Sequence, residues 1–288
     1  MRKATELVRW LIEDQQLLCV SDAGVAQRVK ATPGLVDGGL SPSGILQFAI
    51  DSHRGISIKS QFAQPPTLFN ASAGSQLLFH MRGMDKAMAN RFNSLVDQRG
   101  RRDWTGCMGL IREAEIDSVF IGCANEALAQ NLLYIRESMA NVLAWLYRER
   151  LLMDASVKTV AGLCERMQEL NPLGYRMPWL YEKVVKDFLF ASFSGMTGSR
   201  AWDGTEQVNG GYIVVLPTGE VLCYHASDRE QFRDYLFRNT FVEYVSCKKF
   251  QWGYVEKDDQ WHYVLPLNAA VRFTKVAQTR DVLEYRGN

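Results

Sequence analysis

The sequence lacks a long uncharged apolar run, so a membrane-spanning helix is not expected, because a span needs about 20 consecutive apolar residues. It also lacks the pattern of a secretory signal. The N-terminal segment MRKATELVRWLIEDQQ is interrupted by charges and has no small-residue cleavage site. These absences predict a cytoplasmic protein.

The cysteines lack any pairing pattern. There are six, widely scattered and without a CxxC motif: Cys19, Cys107, Cys123, Cys164, Cys223 and Cys247. A structural zinc site or a disulfide framework would need closer or more regular spacing. We therefore expect reduced and mostly buried thiols.

An excess of charge of one sign is also missing. The 33 basic residues are balanced by 32 acidic ones, for a net charge of +1. Many nucleic-acid-binding proteins are strongly basic, so the composition gives no support to that class. It does not exclude the class either, because contacts with phosphate depend on local charge.

What is present is an ordinary composition for a globular protein of 288 residues, with 47% hydrophobic and 23% charged residues. This length can form one large domain or two. The order of elements predicts the α+β class, with a mixed sheet and flanking helices. A weak break near residue 155 suggests regions 1–154 and 155–288, with a single domain as the open alternative.

Helical periodicity recurs along the chain. Helices are predicted in these segments: the N-terminus through Leu17 and Leu18, 85–99, about 125–150, about 155–169, YEKVVKDFLFASF, and DREQFRDYLFRN with Ser227 as its N-cap.

Strand patterns occupy other segments. Hairpins are predicted in ILQFAIDSHRGISIKSQF, in GGYIVVLPTGEVLCYH, and in FQWGYVEKDDQWHYVLPL, with a final strand in AAVRFTK. WTGCMGLIREAEIDSVFIGCA has apolar runs that indicate a strand on each side of a charged turn.

The first hairpin carries the most suggestive pair of residues. Asp51 ends its first strand, and Lys59 lies eight residues later in the second. If the two side chains meet at one end of a sheet, the carboxylate can hold a divalent cation and the lysine can orient an attacking water. By spacing alone, however, a solvated cross-strand pair is the commoner explanation.

Several uncommon sequence motifs, which we call words, favour the catalytic interpretation. GISIKSQFAQPPTLFNAS, NLLYIRESMANVLAWLY, ELNPLGY and SRAWDGTEQVNGGYIVVLPTGEVLCYHASDREQFRDYLF occur in this order, with ATELVRWL before them and RF near the C-terminus. Together they resemble the HpaII family of type II restriction endonucleases over nearly the whole chain.

The resemblance implies a PD-(D/E)XK-type nuclease core with additional C-terminal α+β elements that contact DNA. Asp51 then takes the place of the metal-binding acid, and Lys59 that of the catalytic lysine. Ser57 stands where the motif usually has a second acid. Because a hydroxyl is a poorer cation ligand, another acid should complete the site, with Glu6 as first candidate and Asp37 as second.

Residues around this motif are candidates for contact with DNA. Thr67, Asn70 and Ser72 of the TLFNAS word can bind base edges or phosphates, although Asn70 and Ser72 could equally satisfy a turn. Gln61 lies one strand alternation beyond Lys59. Arg54 in the hairpin and the pair Lys248–Lys249 complete the set, with a solvated face as the alternative for the lysines.

One word of the resemblance is interpreted structurally. Trp202, Asp203 and Gly204 are expected to form a turn with a packed indole.

The function implied is cleavage of double-stranded DNA at a specific site with Mg²⁺, leaving 5′-phosphate ends. CCGG is the recognition sequence that the resemblance implies, and a homodimer fits a palindromic sequence. A cognate DNA methyltransferase is expected in the same system. Two alternatives remain open: a catalytically impaired DNA-binding protein, and a repair-type nuclease that recognises DNA structure.

Overall fold

The computed structural model describes residues 17–20, 46–50, 54–60, 66–206, 211–215, 221–225, 229–248 and 252–274. Twelve strands lie in these ranges: β1 (Leu17–Val20), β2 (Leu46–Ile50), β3 (Arg54–Ser60), β4 (Thr67–Phe69), β5 (Gln76–Arg82), β6 (Asp117–Cys123), β7 (Gly211–Val215), β8 (Val221–His225), β9 (Thr240–Val242), β10 (Glu256–Lys257), β11 (Tyr263–Asn268) and β12 (Val271–Phe273).

Seven α-helices lie in the same ranges: α1 (Lys86–Ser94), α2 (Trp104–Glu113), α3 (Glu126–Ile135), α4 (Met139–Arg148), α5 (Val160–Leu170), α6 (Leu180–Phe193) and α7 (Arg229–Arg238). A π-helical turn, Glu149–Met153, continues α4. No helix among these described residues is long and apolar enough to cross a bilayer.

The strands form three sheets. The first has the order β1-β2-β3-β7-β8 and is mixed, because β3 and β7 run parallel and its other neighbours antiparallel. The second has the order β10-β11-β5-β6, and the third β4-β12-β9. The α+β class, the mixed sheet and the predicted hairpins are confirmed.

All three sheets join strands from both sides of residue 155. The pairs β3–β7, β5–β11 and β4–β12 each connect the first half of the chain with the second. The division into 1–154 and 155–288, with a single domain as its alternative, stays a prediction.

The sequence-based assignment of secondary structure is wrong at Leu17 and Leu18. These residues were expected at the end of an N-terminal helix, but they begin β1, where they pair with Ile50 and Ala49. Two adjacent leucines are compatible with the periodicity of a helix and with that of a strand. Here the edge of β2 is available for pairing, and this pairing selects the strand.

The first apolar run of WTGCMGLIREAEIDSVFIGCA is a helix rather than a strand. Its buried residues Trp104, Cys107, Met108 and Ile111 recur at helical spacing. The Asp103 carboxylate caps this helix by accepting a hydrogen bond from the Gly106 amide at 2.9 Å. The second run forms β6 as expected.

The long helix expected over 125–150 is divided in two. Arg136 adopts an extended backbone after α3, and α4 begins at Met139. The buried positions Leu132, Met139 and Val142 lie on both sides of the break. The apolar periodicity therefore did not reveal the interruption.

Helix α6 lies in the centre of the core. Its residues Tyr181, Val184, Phe188 and Leu189 are almost completely buried. The Phe188 ring packs edge-on against that of Phe69 in β4, with centroids 5.3 Å apart. Since such aromatic side chains bury large apolar areas, this contact fixes the TLFNAS strand to the helical layer.

A buried tyrosine holds the C-terminal strand. The Tyr147 hydroxyl donates to the Ala270 carbonyl oxygen at 2.6 Å and accepts from the Ala270 amide at 2.5 Å. Burial raises the pKa of Tyr147. The fully buried phenol therefore satisfies both backbone groups just before β12.

Free thiols are described at four positions: Cys107, Cys123, Cys164 and Cys247. Burial raises the pKa of Cys107 to about 11 and that of Cys164 to about 12. These neutral thiols confirm the expectation of reduced, mostly buried cysteines at these four positions.

An ion-pair cluster lies beside the π-helical turn. The Arg166 guanidinium contacts the Glu149 carboxylate at 2.9 Å and the Asp154 carboxylate at 2.6 Å. Burial raises the pKa of Glu149, whereas hydrogen bonds from Ser156 and Arg166 lower that of Asp154 to about 2. Arg166 therefore compensates a carboxylate that folding removes from water.

We predict that Arg166→Ala lowers the free energy of unfolding by about 2 kcal/mol at neutral pH. This is below the roughly 3–5 kcal/mol cost of breaking a fully buried pair, because Arg166 is partly exposed. The deficit should shrink on acidification. The Glu149 carboxylate becomes neutral once the pH falls below its raised pKa, and the Asp154 contribution is lost as the pH falls below about 4.

Urea denaturation of the wild type and variant at pH 7 and pH 3 measures both effects. Lys183→Ala is the matched control, since it removes an exposed i,i+4 pair with Asp187 at 3.7 Å and should cost at most about 0.5 kcal/mol. A deficit for Arg166→Ala no larger than this control contradicts the role given to the cluster.

Candidate active site

The β2–β3 hairpin lies inside the mixed sheet, with β1 on one side and β7 on the other. Since β3 and β7 are parallel, their carboxyl ends lie at the same edge of the sheet. Val20 at the end of β1, Leu46 at the start of β2 and Val221 at the start of β8 also lie there. We call this edge, which includes Lys59, the Lys59 edge.

The triplet that resembles the nuclease motif reaches this edge. Ser57 and Lys59 occupy alternate positions of β3 and are register partners of Tyr212 and Val214 in β7. An internal strand has hydrogen-bonded neighbours on both sides, so its backbone is held at fixed register. The backbone of Lys59 is therefore fixed near the end of a central strand.

The opposite edge holds the tip of the hairpin. Ile50 is the register partner of Arg54, so Arg54 lies at that edge. Lys59 lies five residues further along β3, which corresponds to about 17 Å at about 3.3 Å per residue. Ile50, the residue before Asp51, is therefore distant from Lys59 along the strand direction.

Several predicted site residues lie outside the described residues: Glu6, Asp37, Asp51, Gln61 and Lys249. Within the described ranges, no group of three or more histidine, cysteine, aspartate or glutamate side chains is arranged to hold a metal ion. The candidate metal-binding carboxylates Glu6, Asp37 and Asp51 belong to the segments that precede β1, join β1 to β2 and join β2 to β3. One of these, 21–45, leaves β1 and enters β2 at the Lys59 edge.

The TLFNAS word forms β4 and the turn after it. Thr67 begins β4, and Asn70 and Ser72 are half-buried just beyond its end. The turn is closed by Ser75, whose hydroxyl accepts from the Ser72 amide at 2.8 Å and donates to the Ser72 carbonyl oxygen at 3.1 Å. The Ser72 hydroxyl is buried without a hydrogen-bond partner.

This turn bears on the two interpretations of Asn70 and Ser72. The Ser75 side chain provides hydrogen bonds that close this turn. Sequence reasoning missed this role of Ser75, which follows the word directly. Both interpretations of Asn70 and Ser72 stay predictions, and the buried Ser72 hydroxyl has no hydrogen-bond partner among the described residues.

Comparison with known proteins decides the family. The family model described as HpaII restriction endonuclease matches residues 45–273, from the residue before β2 to the end of β12. The chain belongs to the HpaII restriction endonuclease family.

A curated relative, "Type II restriction enzyme HpaII" of Haemophilus parainfluenzae, is 29% identical over 234 residues. The alignment covers 79% of this chain and 62% of the relative, so the chain spans less than two thirds of the relative's length. No solved structure matches.

The WDG word of this HpaII-family chain is a structural turn, as predicted. The Asp203 carboxylate accepts from the Thr205 amide at 2.9 Å, and the Trp202 indole donates to the Thr205 carbonyl oxygen at 3.0 Å. Gly204 has φ +84, and a Cβ there would lie 2.3 Å from the Tyr134 hydroxyl. Tyr134 in turn packs edge-on against the Trp202 indole.

A buried asparagine anchors the loop that precedes this turn. Asn131 in α3 donates to the carbonyl oxygens of Thr197 and Arg200 and accepts from the Trp202 amide, each at 2.8 Å. Its side chain is only 1% exposed. Sequence reasoning missed this residue, because nothing in the helical periodicity of α3 distinguishes a polar anchor.

The anchored loop packs directly on the TLFNAS turn. A Cβ at Gly74 would lie 2.6 Å from the Gly198 carbonyl oxygen, and one at Gly198 would lie 2.8 Å from the Ser75 side chain. Glycine is therefore required on both sides of this backbone contact. Two words of the HpaII-family pattern, far apart in sequence, thus support each other.

We predict that Asn131→Ala lowers the free energy of unfolding by about 2–3 kcal/mol, because it leaves buried backbone groups of the 197–202 loop unsatisfied. Differential scanning fluorimetry and limited proteolysis would show a lower melting temperature and earlier cleavage in this loop. Gln130→Ala, exposed on the same helix, is the control and should stay within about 0.5 kcal/mol. Equal stability of the two variants would refute the anchoring role.

Proposed function

We propose that this protein is a type II restriction endonuclease that cleaves double-stranded DNA with Mg²⁺. The observation that carries the proposal is the family match over residues 45–273, which includes the whole β2–β3 hairpin and its Ser57–Lys59 triplet. The mixed sheet that contains this hairpin also agrees with the nuclease core implied by the resemblance. Cleavage would take place in the cytoplasm, where the DNA lies.

Lys59 is the proposed catalytic lysine. Its ammonium group would orient the attacking water and offset the negative charge that develops on the phosphate. A Mg²⁺ ion held by carboxylates of the site would supply an activated water and would polarise the phosphodiester. The cleavage leaves a 5′-phosphate and a 3′-hydroxyl.

The donor chemistry of the candidate residues fits a magnesium ion, which prefers oxygen ligands and retains several waters. Asp51, Glu6 and Asp37 each offer a carboxylate, and Ser57 offers a hydroxyl. The strand register favours Asp37 over Asp51, because the segment 21–45 joins β2 at the Lys59 edge whereas Ile50 lies at the opposite edge. Glu6 remains the further candidate.

DNA would be contacted by Thr67, Asn70 and Ser72 beyond β4, together with Gln61 and Arg54 of the hairpin region and the Lys248–Lys249 pair. The position of Asn70 and Ser72 supports this role for the TLFNAS word, because both residues are partly exposed just beyond the end of β4.

CCGG is the proposed recognition sequence, transferred from the family. A homodimer is proposed because a palindromic site presents two equivalent phosphodiester bonds. A methyltransferase of the same specificity would protect the host DNA.

A second candidate function is favoured by one observation. Ser57 occupies the position of the second acid of the nuclease motif, and a hydroxyl is a poorer cation ligand than a carboxylate. A protein that binds the DNA site without cutting it is therefore the alternative. Incubation with plasmid DNA separates the two functions, because an enzyme produces discrete fragments with Mg²⁺ and none with EDTA, whereas a binder only retards the intact DNA.

Lys59→Ala is predicted to reduce cleavage by at least about 100-fold while DNA binding stays within about three-fold, because the lysine acts on charge that develops in the transition state. Single-turnover cleavage of a CCGG duplex with Mg²⁺, and binding of the same duplex with Ca²⁺, measure the two effects. Lys158→Ala, which removes an exposed lysine outside the candidate site, is the matched control and should retain cleavage. Full activity of Lys59→Ala would overturn the site assignment.

The two candidate metal acids can be ranked by the same assay. We predict that Asp37→Ala abolishes cleavage and that Asp51→Ala retains at least about one tenth of it, since loss of a metal-binding carboxylate removes the activated water. Isothermal titration with Mg²⁺ in the presence of uncleavable duplex provides a second readout. Loss of activity in Asp51→Ala with full activity in Asp37→Ala would restore Asp51 as the metal ligand.

A further inference from the structure

The loop between α1 and α2 presents two arginines on a tightly hydrogen-bonded turn. The Asp97 carboxylate accepts from the amides of Arg99 and Arg101, each at 2.8 Å. The Asp97 amide donates to the Arg101 carbonyl oxygen, and the Gly100 amide to that of Asp97, each at 2.9 Å. The backbone is thus fixed, while the Arg99 and Arg101 side chains are exposed.

A second segment, far away in sequence, closes on this turn. The Cys247 amide donates to the Gly100 carbonyl oxygen at 2.8 Å. The Lys248 ammonium donates to the Gln98 carbonyl oxygen. Gly100 has φ +79, and a Cβ there would lie 2.6 Å from Cγ of Lys248, so the lysine stem covers the glycine between the two arginines.

The cations on these two segments have few acidic partners. Among the described residues, Arg99, Arg101 and Lys248 form no salt bridge with a carboxylate. The nearest acids along the chain, Asp97 and Asp103, direct their carboxylates to backbone amides of the loop and of α2. The balance of charge at this surface is therefore positive.

A buried cation lies in the same loop. Arg102 is only 7% exposed and is surrounded by the rings of Phe92, Tyr254 and Trp104, with its guanidinium carbon 4.8, 5.2 and 5.8 Å from their centroids. Its Nε and Nη2 atoms have no hydrogen-bond partner. Because the charge lies in an apolar setting and forms no salt bridge among the described residues, it adds to the positive potential of the loop.

We propose that Arg99, Arg101 and Lys248 form a binding surface for the phosphate backbone of duplex DNA. The proposal rests on the proposed nuclease function and adds the 97–102 loop to the surface that contacts the substrate. The turn fixes the backbone below the three side chains, and their charges complement a row of phosphates. Such contacts position the enzyme on DNA without reading the sequence.

The double variant Arg99→Ala/Arg101→Ala tests this proposal through the salt dependence of binding. With Ca²⁺ in place of Mg²⁺, dissociation constants are measured from 50 to 200 mM salt for a CCGG duplex and for a scrambled duplex. Loss of two phosphate contacts should reduce the slope of log affinity against log salt by about 1.8, at about 0.9 per contact. The affinity loss should be equal for the two duplexes.

Two further variants separate this effect from general changes. Arg99→Lys/Arg101→Lys keeps the charge and should retain the slope. Lys158→Ala/Arg176→Ala removes two exposed cations elsewhere and should leave the slope unchanged. All variants should melt at the wild-type temperature, since exposed side chains are replaced.

Each outcome bears on the proposal. An unchanged slope in the arginine-to-alanine variant, or an equal reduction in the Lys158→Ala/Arg176→Ala control, overturns the surface while leaving the nuclease function in place. Wild-type protein that neither binds nor cuts DNA overturns the proposed function and the surface with it. A reduced slope confined to the Arg99→Ala/Arg101→Ala variant supports the surface.

Discussion

The parallel pairing of β3 with β7 is the constraint on which the candidate site depends. It joins two segments that are far apart in sequence and makes β3 an internal strand. The carboxyl ends of both strands then meet at one edge, where Lys59 lies near the end of β3. An antiparallel β7 would bring a different set of chain segments to that edge.

Polar side chains of the helices hold the loops around this architecture. Asn131 binds three backbone groups of the 197–202 loop, and Asn93 exchanges two 2.8 Å hydrogen bonds with the backbone of Val255. Each asparagine supplies a donor and an acceptor in a buried or half-buried position where water is scarce. These hydrogen bonds therefore satisfy backbone groups of the two loops that have left regular secondary structure.

Much of the fold could be predicted from local patterns. Alternation of apolar and polar residues predicts the β2–β3 and β7–β8 hairpins, and helical periodicity predicts α6. Both patterns can be recognised because they depend only on residues that are close together in the sequence. The break between α3 and α4 and the strand at Leu17 could not be predicted, since each depends on a neighbouring element. The candidate site shows the same division. The motif at Ser57 and Lys59 is local, whereas the edge it reaches depends on register.

By itself the sequence determined the family, the α+β class and the motif residues, because these are properties of short words and their order. Only the tertiary structure decided which segments share the Lys59 edge, that Ser75 closes the turn after β4, and that Lys248 lies over Gly100. These relations join residues through hydrogen bonds and close packing across the fold. No local pattern of residues encodes such contacts, since they depend on how distant segments are brought together.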